Sequence, residues 1–142
     1  MTSADFIIRE IQPKDNKQLS EVIRSVILEM GAPKIGTAYE DKATDSMFEN
    51  YQKEKVAYFV VEHNNIVVGG AGIAKLDNCE DNICELQKMY FLPIVRGKGI
   101  GTKLITKCLE KAKEFGKKGR LRVEERFILE KQVNEYIDIY KK

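Results

Sequence analysis

The run from Met89 to Thr102 limits the fold more than any other part of this chain. Met89, Tyr90, Phe91 and Leu92 read as the end of an apolar strand, Pro93 follows, and Gly97, Gly99 and Gly101 turn the chain into a helix that begins near Ile100. Alternating glycines let backbone N–H groups converge with no Cβ between them, and the helix start adds unpaired N–H groups and the positive end of its dipole. The product is a cradle for an anion, suited to phosphate. Arg96 supplies a fixed cation at its entrance and Lys98 a mobile one.

The residues before this run alternate between strand and helix patterns. Phe6 to Ile11 reads as a first strand, and Asp15 or Asn16 offers an N-cap for a helix whose apolar stripe is Leu19, Val22, Ile23, Val26 and Ile27. A loop at Gly36 to Asp41 leads to a weaker helix, Asp45 to Gln52, with Met47, Phe48 and Tyr51 inward. Val56 to Glu62 and Ile66 to Ala74 form an antiparallel hairpin, and His63, Asn64 and Asn65 make its turn. Gly69, Gly70 and Gly72 inside the second hairpin strand imply a bulge or a close backbone approach.

Leu76 to Asn82 is a connecting loop, and Ile83 to Leu92 is the next strand. Strict alternation puts Glu85, Gln87, Met89 and Phe91 on one face and Cys84, Leu86, Lys88, Tyr90 and Leu92 on the other. Ile100 to Phe115 is an amphipathic helix with Cys108 on its apolar side and Gly116 as C-cap. This order of elements implies an α/β or α+β domain, a largely antiparallel sheet covered by helices.

A length of 142 residues allows one domain, 1–142, and 43% hydrophobic with 32% charged residues is ordinary for a globular protein. No membrane span is expected, and the first five residues carry no basic and apolar leader, so the expected location is cytoplasmic. Cys79, Cys84 and Cys108 match no common zinc spacing and read as reduced thiols, and with one histidine no metal is expected. The net charge of +2 argues against a nucleic-acid partner, and it is uneven, because residues 116–142 hold eight basic and five acidic side chains. A nucleoside-triphosphate loop fails for want of the Gly-x-x-x-x-Gly-Lys-Ser/Thr spacing. A dinucleotide fold fails because no acidic ribose ligand follows in a second parallel strand.

Arg-x-x-Gly-x-Gly, matched by Arg96, Gly99 and Gly101 after a strand ending Phe-x-Pro, resembles the acetyl-CoA pyrophosphate loop of the GNAT superfamily of N-acetyltransferases. The resemblance covers roughly residues 5 to 115 and implies an enzyme that moves an acetyl group from acetyl-CoA to an amine of a small molecule or peptide. It implies that Arg96, Gly97, Lys98, Gly99, Gly101 and Thr102 hold the pyrophosphate. Backbone groups of Met89, Tyr90 and Phe91 would align pantetheine and polarise the thioester. Glu85, eleven residues before Arg96, stands where several family members carry the base that takes the amine's proton. Residues 29 to 52 would wall the acceptor cleft, with Glu29, Tyr39 and Glu40 able to meet the amine, and the close approach at Gly69, Gly70 and Gly72 would be that of the acceptor or a neighbouring helix.

The last 27 residues depart from the family. A buried strand, a helix bearing Tyr-x-x-x-Gly-Phe and two closing strands are expected there, and none is recognisable. Val123, Phe127, Glu130, Val133 or Asn134, Ile137 and Tyr140 instead mark a helical period, read as a helix over Glu124 to Tyr140, with a short strand around Leu121 to Leu129 as the alternative. Tyr136 and Tyr140 receive no role as leaving-group acid. Without its partner strand, the strand ending at Leu92 would be an open edge, to be covered by the tail or by a second copy of the chain as a homodimer. The alternative to an enzyme is a catalytically impaired CoA-binding module with an incomplete C-terminal half-site.

Overall fold

The computed structural model describes residues 5–31, 35, 37, 39–75, 83–115 and 120–123, with Ile83 and 120–123 described in backbone only. Strand β1, Phe6–Glu10, precedes helix α1, Asn16–Glu29. A 3-10 turn at Lys42–Ser46 runs into the single helical turn α2, Met47–Asn50, in place of a helix from Asp45 to Gln52. The hairpin strands are β2, Val56–His63, and β3, Ile66–Lys75, followed by β4, Ile83–Phe91, helix α3, Ile100–Phe115, and β5, Arg120–Val123. The strand order is β1-β2-β3-β4-β5, antiparallel except for the parallel β4–β5 pair.

Each face of this sheet is closed by a different helix. The stripe Leu19, Val22, Ile23, Val26 and Ile27 packs with Met47, Tyr51, Tyr58 and Tyr90 on one side. On the other, Leu104, Ile105, Cys108 and Ala112 of α3 pack with Phe59, Val61, Ile73, Cys84, Leu86, Met89 and Phe91. A mixed sheet with helices on both faces is the outcome that the apolar periodicities imply.

Five local expectations are corrected. Asp15 does not cap α1 with its side chain; buried, it accepts from Arg9 at 2.8 and 2.9 Å and from the Gln12 N–H at 2.7 Å. Asn16 does not cap it either: its side chain accepts from the Phe48 N–H and donates to Glu49. His63 is not a turn residue but the last residue of β2, stacked on Phe6 at 4.7 Å, and Asn64 and Asn65 alone make the turn, with φ of 51° and 65°. That left-handed pair matches the twist of a two-residue hairpin, and Asn tolerates it.

The fourth correction concerns β4. Gly70 opposes Tyr90 and Gly72 opposes Gln87, so Ala71 faces two residues, Lys88 and Met89. Lys88 takes the extra position with φ of 48°. A bulge of this kind shifts the alternation by one residue beyond it. Met89 and Phe91 therefore share the α3 face with Cys84 and Leu86, whereas Tyr90 lies on the α1 face. Glu85 thus does not share a face with Met89 and Phe91.

The fifth concerns the strand edge. A partner strand is present, because β5 pairs in parallel with β4 from Ile83 against Arg120 to Leu86 against Val123. Residues 87–91 have no strand beyond them among the described residues. The helix expected over Glu124 to Tyr140, the loop Leu76 to Asn82 and the Gly116 cap lie outside the described residues, as do Cys79, Tyr136 and Tyr140.

Candidate active site

The glycine turn forms as its sequence requires. Gly97 and Gly99 have φ of 76° and 75°, a region that costs any other residue a Cβ clash, and a Cβ at either would meet nothing within 4 Å. The space above the turn is open. The first hydrogen bond of α3 runs from the Lys103 N–H to the Gly99 carbonyl at 3.2 Å. None of the N–H groups from Gly97 to Thr102 has an acceptor among the described residues. Six donors on one turn, at the positive end of a 16-residue helix, suit an anion.

The two cations expected to help are engaged elsewhere. Arg96 donates to both oxygens of Glu29 at 2.9 and 2.7 Å and to the Phe91 carbonyl at 2.7 Å. Its buried Nε has no partner among the described residues. Lys98 is half-buried and, among the described residues, donates to the Ile94 carbonyl alone at 2.9 Å, so it is the less firmly held of the two. Glu29, held by the Arg96 guanidinium below its ordinary carboxylate range, is occupied by that pair. Tyr39 is half-buried and its carbonyl accepts from Arg24, while Glu40 is exposed.

Glu85 lies on the α1 face of β4 in a chain that the sequence did not suggest. Tyr51 donates to Gln87 Oε1 at 2.8 Å, and Gln87 Nε2 donates to Glu85 Oε1 at 3.0 Å. Donation runs towards the carboxylate throughout, so Glu85 is held as an acceptor. Burial, and after it the Glu85 charge, pushes the Tyr51 phenol well above its ordinary range, which keeps it a donor. Tyr51 also lines a cavity of about 440 Å³ with Phe48, Lys55, Lys111 and Phe115, at the opposite end of α3 from the glycine turn.

The β3 glycines explain how the aromatic rings fit. A Cβ at Gly72 would stand 2.5 Å from Tyr58 and 2.9 Å from Tyr51, one at Gly70 2.6 Å from Tyr58, and one at Gly69 2.5 Å from Phe91. The close approach is therefore by three aromatic rings, not by a neighbouring helix. A register break between β2 and β3 falls beside Gly69 as well. Tyr51 and Gln87 were legible only as an inward aromatic and a strand polar residue. Their pairing depends on the Lys88 bulge, which no glycine or asparagine announces.

Cys84 and Cys108 are free and buried, and burial pushes the Cys108 thiol up to about 12. Neither has the character of a nucleophile. Among the described residues, no three His, Cys, Asp or Glu side chains are grouped to hold a metal, and no helix is long and apolar enough to cross a membrane.

Comparison with known proteins agrees with this geometry. A predicted acetyltransferase of Clostridium acetobutylicum, solved with acetyl-CoA, superposes with a TM-score of 0.74 at 20% identity, over 94% of this chain and 88% of that one. Glucosamine-6-phosphate N-acetyltransferase of Arabidopsis thaliana gives 0.66 at 14% identity, over 94% and 88%. At such identities the likeness concerns the fold. An Escherichia coli K12 protein, uncharacterized N-acetyltransferase YjgM, is 45% identical over 112 residues, which is 78% of this chain and 66% of that protein's length. The model of the acetyltransferase (GNAT) family matches residues 25–127, a span that runs from α1 through the glycine turn and past β5. With fold, phosphate-type turn and family match in agreement, the chain belongs to the GNAT family of acetyltransferases.

Proposed function

We propose that this protein is an acetyl-CoA-dependent N-acetyltransferase acting on an amine of a small molecule or peptide. One observation carries the reading: among the described residues β5 pairs with β4 only from Ile83 to Leu86, and β4 continues past it through the Lys88 bulge to the glycine turn, whose N–H groups from Gly97 to Thr102 have no acceptor among the described residues. A strand that outruns its parallel neighbour and then meets an anion cradle matches a molecule with an amide-bearing arm and a pyrophosphate. Gly97, Lys98, Gly99, Gly101 and Thr102 hold the pyrophosphate in this reading, with Arg96 beside them, and backbone groups of Met89, Tyr90 and Phe91 hold the arm and the thioester carbonyl.

In the reaction the amine nitrogen attacks the thioester carbon, the C–N bond forms, the amine's proton passes to Glu85, directly or through one water, and the C–S bond breaks with its electron pair going to sulfur, so that CoA leaves as a thiolate that takes its proton from solvent. Backbone N–H groups near the bulge bear the charge that develops on the carbonyl oxygen. The cytoplasm suits free Cys84 and Cys108. A second copy of the chain, if it joins, meets the sheet beyond β5, and a monomer by light scattering at micromolar concentration removes it.

Calorimetric titration with acetyl-CoA tests the reading, with micromolar binding expected. Absence of binding at millimolar ligand would overturn it. Free thiol released when amines are supplied separates an enzyme from a module that only binds CoA.

A further inference from the structure

Tyr58 is almost fully buried at 1% exposure, and it stands on β2 opposite Gly72 of β3. Its ring crosses β3 over the two glycines on that face, where a Cβ at Gly70 would come within 2.9 Å of the hydroxyl itself. Beyond β3 the hydroxyl donates to the Lys88 carbonyl at 2.7 Å. Two strand spacings, about 10 Å, are thus bridged by one side chain. The atom it reaches belongs to the residue with the left-handed backbone in the β4 bulge.

This contact fixes more than one atom. In a planar trans peptide, the carbonyl of one residue and the N–H of the next point in opposite directions. Holding the Lys88 carbonyl therefore holds the Met89 N–H, three residues beyond the last β5 pair at Leu86. A hydrogen bond accepted by the carbonyl also strengthens the N–H of the same peptide as a donor. We infer that Tyr58 is a positioning residue for acetyl transfer, aiming and polarising the Met89 N–H towards the thioester carbonyl oxygen.

The inference rests on the acetyl-transfer reading above and adds a residue to it. Burial first, and the neighbouring Tyr51 and Tyr90 after it, hold the Tyr58 phenol well above its ordinary range, so it acts as a donor throughout neutral pH and exchanges no proton with substrate. For packing alone, phenylalanine would fill the same space, and the hydroxyl would be a buried polar group needing a partner. A packing role and a positioning role therefore differ in what removal of the oxygen does to bound acetyl-CoA.

The experiment is infrared difference spectroscopy of acetyl-CoA carrying ¹³C at the thioester carbonyl, bound to the full chain. In wild type the carbonyl band moves to lower wavenumber than in solution. In Tyr58→Phe most of that displacement is lost, while the calorimetric Kd for acetyl-CoA changes by less than about threefold. An equal displacement in both proteins overturns the role of Tyr58 and leaves the acetyltransferase reading standing. Failure of wild type to bind acetyl-CoA overturns both. Should Tyr58→Phe not fold, 3-fluorotyrosine placed at position 58 keeps the ring and makes the hydroxyl a stronger donor. The band then moves further to lower wavenumber, and an unmoved band overturns the inference.

Discussion

Arg9 ties three parts of the chain together with one guanidinium: it donates to Asp15 at 2.8 and 2.9 Å, to Glu62 at 2.8 Å, and to the Glu10 carbonyl. Burial raises the Asp15 carboxyl, but the Arg9 guanidinium and the Gln12 N–H outweigh it and hold the group below its usual range. A carboxyl lowered by folding adds stability that is present above its unfolded pKa and is lost as pH falls through the folded one. Asp15→Asn is therefore expected to cost about 2 kcal/mol at pH 7, with Glu62 retaining part of Arg9's pairing. The gap between variant and wild type should narrow below about pH 4, and urea titrations at several pH values would show it. A gap independent of pH would mean that packing, and not charge, is what Asp15 contributes. Glu85 is tested by activity. Glu85→Gln keeps an acceptor for Gln87 but cannot take a proton, so kcat/KM should fall about 10²-fold and its pH profile should change shape. An unaltered profile removes Glu85 from the proton transfer.

The elements show which sequence signals suffice. Helices α1 and α3 were legible because three- and four-residue apolar spacing has one physical outcome when a sheet lies alongside, and the glycine turn because only glycine takes φ near 75° freely. The β4 bulge was not, since Lys88 carries no left-handed preference and is held by Tyr58 from two strands away. Strand β5 was obscured for another reason: four residues, Arg-Leu-Arg-Val, are too few to show a period, and their pairing with β4 is long-range. Glu85 was legible by position alone, while its link to Tyr51 through Gln87 needed the shifted register. β3 yields a prediction at this scale. Gly70→Ala would put a methyl 2.6 Å from the Tyr58 ring and 2.8 Å from the Phe59 carbonyl, and neither a buried ring nor a strand backbone can retreat cheaply. The expected loss is about 2–3 kcal/mol, read as a lower midpoint in thermal unfolding. A variant of wild-type stability would mean that Tyr58 can leave the Lys88 carbonyl at little cost.

Across the whole molecule, the pair Arg96–Glu29 joins the C-terminal end of α1 to the end of β4, and so links the wall expected beside the acceptor to the cradle expected beneath the phosphates. A glutamate in the last turn of a helix opposes the helix dipole, and α1 has no basic residue there to offset it, so Arg96 supplies that compensation from outside. The same contact neutralises the cation at the entrance of the glycine turn. Stability and phosphate affinity consequently pull in opposite directions on one residue. Glu29→Gln should lower stability by no more than about 1 kcal/mol, because the pair is partly exposed to solvent. It should also leave Arg96 with uncompensated charge beside an anion site, tightening acetyl-CoA binding about three- to tenfold at low salt. That gain should shrink as ionic strength rises and the Debye length falls from about 30 Å to a few ångströms. Calorimetry of both proteins across a salt series measures the two effects together. Weaker binding by the variant at low salt would mean that Glu29 serves the cradle by fixing where Arg96 stands, and that the six backbone N–H groups alone carry the phosphate.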